Sequence, residues 1–96
     1  MSPLKRKKLS KIRFQLDKLD NLLIKVIKKR TDLVKKVLKL KDKKNQIIDQ
    51  KRIKKILNNV KKKSLKNNID PKITNRIWKN MIWAYIDFEK RNFKKK

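Results

Sequence analysis

LSKIRFQLDKLDNLLIKVIKKRTDLVKKVLKL, residues 9–40, decides the fold of this chain. Leu9, Ile12, Leu16, Leu19, Leu23, Val26, position 30, Leu33, Val37 and Leu40 follow one another at alternating steps of three and four, the period of a helical seam. Position 30 falls in register, yet it holds an arginine. A guanidinium keeps its charge when buried, so Arg30 must meet a carboxylate, a bound anion or water. Two readings follow: the side chain snorkels to the surface, or it faces an anion.

Working outward, Ser2 and Pro3 form an N-cap and first-turn pair, and the pattern runs unbroken to about Asp42. Forty residues at about 1.5 Å each make a rod of roughly 60 Å, too long for a compact domain of this size to cover. The polar residues 42–46 interrupt the pattern. Asp49 then caps a second helix carrying Ile53, Ile56, Leu57 and Val60, and residues 61–68 read as a polar connection. Asp70 followed by Pro71 is a strong start signal for a third helix, with Ile77, Trp78, Met81, Ile82, Tyr85 and Phe88 on its apolar side and Lys94, Lys95 and Lys96 at its end. Neither short helix can shield the long one. The expected fold is all-α, with three helices per chain, one long and two shorter, forming a single domain over residues 1–96 in an intertwined homodimer.

Composition narrows the chemistry. The 96 residues include no cysteine, histidine or glycine. Zinc fingers, thiol and Ser-His-Asp catalysis and glycine-rich phosphate loops are therefore excluded. The first eight residues resemble the basic start of a secretion signal, but no apolar core follows and no run reaches membrane-spanning length, so a cytoplasmic protein without membrane attachment is expected. The net charge of +25 points by itself to a polyanion partner. Its make-up points away from one: 27 of the 33 basic residues are lysines spread over the whole length, arginine is scarce, and four of the six aromatics cluster in residues 78–88. Readers of nucleic acid favour arginine forks and interleaved aromatics, so nucleic acid is not the expected partner.

Helical phase sorts the remaining charges. Lys41 follows Arg30 by eleven residues, three turns, so a continuous helix presents both on one side. Arg13 lies seventeen residues before Arg30, about 100° round the helix and some 25 Å along it, and only an antiparallel partner chain could bring it back. Arg52 opens the second helix beside Ile53. Glu89, the sole glutamate, falls four residues after Tyr85 on the apolar stripe of the third. Singly, Lys41 reads as one solvated lysine among many, Arg52 as surface cover and Glu89 as half of a structural ion pair. Jointly, several cations and one carboxyl on apolar faces describe a pocket for a small, multiply anionic ligand.

The ordered set Leu9, Arg13, Leu16, Asp20, Leu23, Arg30, Lys41, Ile48, Asp49, Arg52, Ile56, Leu57, Asp70, Pro71, Ile77, Trp78 and Ile82 resembles the AroQ-type chorismate mutase family. The gaps of ten residues from Asp20 to Arg30 and eleven from Arg30 to Lys41 agree with that family's first helix. The resemblance implies an interlocked dimer with two active sites that act on chorismate without metal or cofactor. By position, Arg13 would reach into the opposite chain's site, and Arg30 and Arg52 would bind substrate carboxylates. Lys41 would contact a carboxylate and the ether oxygen, and Glu89 would supply the second donor to that oxygen. Asp49, Ile53 and Tyr85 fall at further substrate-binding positions.

Converting chorismate to prephenate is pericyclic: a carbon–oxygen bond breaks as a carbon–carbon bond forms, with no obligatory proton transfer or covalent step. Holding the compact conformer and stabilising charge on the ether oxygen suffice, and fixed cations do both. The chain departs from the family pattern twice. Ile53 stands where a glutamate commonly contacts the substrate hydroxyl, and Glu89 stands where glutamine is usual, so that it must carry a proton to donate. An apolar residue after the arginine, the length of the 41–52 loop and the segment Ala84, Tyr85, Ile86 also resemble isochorismate-pyruvate lyases of the same fold.

Overall fold

The computed structural model describes residues 1–95. In chain order these form α1 (Pro3–Leu40), a short 3₁₀ turn (Lys44–Gln46), α2 (Gln50–Lys66) and α3 (Pro71–Asn92), with no strand among them. The protein is all-α, and Lys96 lies outside the described residues.

Each helix starts where its side chains can satisfy the orphan amides of a first turn. The Ser2 hydroxyl accepts the Lys5 N–H at 3.2 Å ahead of Pro3. The Asp49 carboxylate accepts the Arg52 N–H at 3.0 Å. Asp70 accepts the Lys72 N–H at 2.9 Å, with Pro71 in the first turn where no donor is needed.

The helix ends differ from the sequence expectation. α1 stops at Leu40 rather than about Asp42, because the Gln46 carboxamide oxygen accepts the Asp42 and Lys43 amides at 2.8 and 2.9 Å and so takes the donors that another helical turn requires. Residues 61–68 are not a connection: α2 continues through the lysines to Lys66. Lysine is a good helix former, and the seemingly polar Ser64 is buried, its hydroxyl bonded to the Val60 carbonyl and to the Thr74 hydroxyl, each at 2.6 Å. The true stop is Asn68, whose φ of 57° is left-handed. The Ile69 N–H reaches back to the Ser64 carbonyl at 2.8 Å and the Asn68 N–H to that of Leu65 at 3.3 Å, a Schellman closure made by asparagine in a chain without glycine. α3 ends at Asn92, short of the terminal lysines.

The chain divides into two compact units, residues 1–33 and 34–96. In the first, no helical residue is buried: the seam positions Leu16, Leu19, Leu23 and Val26 are each more than half exposed. Lys18 Nζ sits 4.6 Å from the centre of the Phe14 ring. In the second, Ile47, Ile82 and Ile86 form the core, with Leu38, Ile48, Ile53, Ile56, Leu57 and Phe93 packed against it. Ile47 follows directly on the polar residues 42–46, and its burial against Ile82 and Ile86 ties that loop to α3. On α3 the buried residues are Ile82, Ile86 and Glu89, and of the expected stripe Trp78, Met81, Tyr85 and Phe88 are half-buried while Ile77 alone is exposed. Ile77 is about half exposed, because α3 is apolar over more than one face and the chain covers only part of it.

Candidate functional site

Arg13 and Arg30 belong to the first unit, and Lys41, Asp49, Arg52, Ile53, Tyr85 and Glu89 to the second. Arg13 is exposed on α1. Arg30 is half-buried and its Nε is shielded from solvent.

Within the second unit the structure brings together the two residues expected to act on the ether oxygen. Lys41 follows the last residue of α1, held there by its N–H bond to the Leu38 carbonyl at 3.1 Å. Glu89 is on the buried face of α3, only 6% exposed. The Lys41 ammonium donates to Glu89 Oε1 at 3.0 Å. Both side chains are largely withdrawn from water, where a charge-assisted hydrogen bond gains strength and a missing partner is costly. The helical continuity assumed for Lys41 is not observed: it extends from the turn beyond α1.

The other positions surround this pair with different environments. Asp49 already receives the Arg52 amide, so part of its acceptor capacity organises the start of α2. Arg52 is exposed in that first turn, which leaves its guanidinium able to meet an anion from solvent. Ile53 is half-buried and packs against the core, with no polar atom to offer a hydroxyl. Tyr85 is half-buried one helical turn before Glu89. No group of acidic or sulfur ligands suited to a metal ion occurs among the described residues.

A groove of about 560 Å³ that the sequence did not single out opens elsewhere in this unit, between Leu38 and Phe88 with Lys35, Lys39, Lys94 and Lys95 at its edges. Phe88 was legible as an apolar α3 position. The groove was not, since it depends on how Leu38 and Phe88 are placed in the fold. It contains none of the expected site residues.

No helix among the described residues is long and apolar enough to cross a membrane. No curated protein and no solved structure matches the chain. The family model for chorismate mutase type II matches residues 12–90, a span that holds every candidate site residue from Arg13 to Glu89 and all of α2, and the chain accordingly belongs to the chorismate mutase type II family.

Proposed function

We propose that this protein is a chorismate mutase, an isomerase that converts chorismate to prephenate in the cytoplasm for phenylalanine and tyrosine synthesis. The observation that carries the reading is the shielded Lys41–Glu89 pair at 3.0 Å. With substrate present, the Lys41 ammonium turns from the Glu89 carboxylate to the ether oxygen, and Glu89, having taken a proton from solvent on losing that counterion, donates from the other side. The breaking carbon–oxygen bond then delivers its charge to two fixed donors. Losing one such donor typically costs about 10²–10³ in rate. Arg30 and Arg52 hold the substrate carboxylates and favour the compact conformer, with Asp49, Ile53 and Tyr85 lining the remainder.

The reading includes a homodimer. The exposed seam through Leu16, Leu19, Leu23 and Val26 is more apolar surface than a lone soluble helix sustains, and each such side chain gains about 1.5–3 kcal/mol on full burial. An antiparallel partner helix covers it and brings the partner's copy of Arg13 to the site.

A second reading is favoured by Ile53, which packs against the core where a hydroxyl-binding glutamate is usual: isochorismate-pyruvate lyase activity on the same fold. Incubating the purified protein separately with chorismate and isochorismate decides between them. Prephenate from chorismate supports the mutase, salicylate with pyruvate from isochorismate supports the lyase, and no turnover of either removes both.

A further inference from the structure

α2 is charged in a way the other helices are not. Gln50–Lys66 carries seven lysines and Arg52 with no acidic residue, and all eight cations are exposed. α1 and α3 offset part of their charge internally: Lys28 Nζ bonds Asp32 at 2.8 Å, and Arg91 Nε bonds Asp87 at 3.0 Å. α2 contains no carboxylate that could do the same. Lys51 with Lys55, and Lys62 with Lys66, stand four residues apart and repel each other across one turn. They occupy the side opposite the face that packs Ile53, Ile56 and Leu57 on the core, so their field spreads into solvent.

We propose that the lysine face of α2 is an electrostatic collector for a small dianion, concentrating the dicarboxylate substrate at the Arg52 end without contacting it in the reaction. This rests on the proposed activity and adds to it a determinant of specificity. Lys55, Lys62 and Lys66 lie roughly 5, 15 and 21 Å along the helix axis from Arg52. At about 10 mM ionic strength the screening length of about 30 Å exceeds the whole of α2, so every lysine acts at Arg52; at about 0.15 M it falls to about 8 Å and only the nearest do. A ligand with two carboxylates gains twice the potential energy of one with a single carboxylate. The face therefore selects dianions before any side chain touches them.

The test is the initial-rate dependence on chorismate and isochorismate from about 10 mM to about 0.5 M potassium chloride. It compares the full chain with the triple variants Lys55→Gln/Lys62→Gln/Lys66→Gln and Lys55→Glu/Lys62→Glu/Lys66→Glu, each checked for native helicity by circular dichroism. For the unaltered protein, kcat/KM should fall about tenfold over this range while kcat changes by less than about twofold. The glutamine variant should lose about half of that slope on a logarithmic scale and the glutamate variant more, with kcat kept in both. A wild-type slope in the glutamine variant, or turnover that is flat with salt in the unaltered protein, overturns the collector and leaves the proposed activity standing. Absence of turnover with both substrates at every salt concentration overturns both.

Discussion

Lys41 Nζ and Glu89 Oε1 are 3.0 Å apart although 48 residues separate them in the chain, and the pair joins the turn after α1 to the buried face of α3. A cation and a carboxyl held this close and this dry strengthen one another's hold on the fold. Either partner alone is a buried charge without its counterion.

Stability should show that interdependence. Lys41→Met strands the Glu89 carboxylate and should lower unfolding free energy by on the order of 3 kcal/mol at neutral pH, whereas the double variant Lys41→Met/Glu89→Leu should recover much of the loss. Urea unfolding at one fixed protein concentration measures both. Equal losses that simply add would show that the two residues do not interact.

Substitution separates two roles for Glu89. As a hydrogen-bond donor to the ether oxygen it must present a proton, which Glu89→Gln does through its amide N–H and Glu89→Met cannot. Activity should survive in the glutamine variant and fall by about 10²–10³ in the methionine variant. Equal losses in both would assign Glu89 to holding Lys41 in place.

Much of the fold is legible in the sequence because its signals are side chains that act locally. Ser2, Asp49 and Asp70 cap the helices they precede, and the two prolines mark first turns. What was not legible depends on tertiary placement. Ile47 stands with Ile48 between the polar residues 42–46 and the Asp49 cap, in no helical period that would betray it, yet it is buried in the core. Ser64 reads as solvated, but its hydroxyl is satisfied by Val60 and Thr74 and can be buried. Which of α3's apolar faces packs is set by α2, so Ile86 rather than Ile77 entered the core. The burial of Glu89 was legible from its phase with Tyr85. That its partner is Lys41 was not, since the turn after Leu40 delivers that ammonium.

Asn68 supplies a third prediction. Its left-handed backbone suits glycine better than any other residue, so Asn68→Gly should hold or raise stability, by up to about 1 kcal/mol, while Asn68→Val should cost about 1–2 kcal/mol. Thermal melts of the two variants give the comparison, and a valine variant as stable as the parent would refute the Schellman closure of α2.

Subunit exchange tests the donated arginine. Arg13→Ala and Arg52→Ala chains should each be nearly inactive as homodimers. Co-refolded heterodimers, isolated by two different tags, contain one site with both arginines intact if Arg13 acts across the interface. About half of the parental activity should return. No recovery in verified heterodimers would place Arg13 outside the partner's site.

The most direct measurement is prephenate formation from chorismate, followed by proton magnetic resonance with the parent protein and with Lys41→Met and Glu89→Ala. The parent should yield prephenate, and each variant should form it about 10²–10³ more slowly. Chorismate left unchanged by the parent, or variants that match it, would contradict a rearrangement driven by the Lys41 and Glu89 pair.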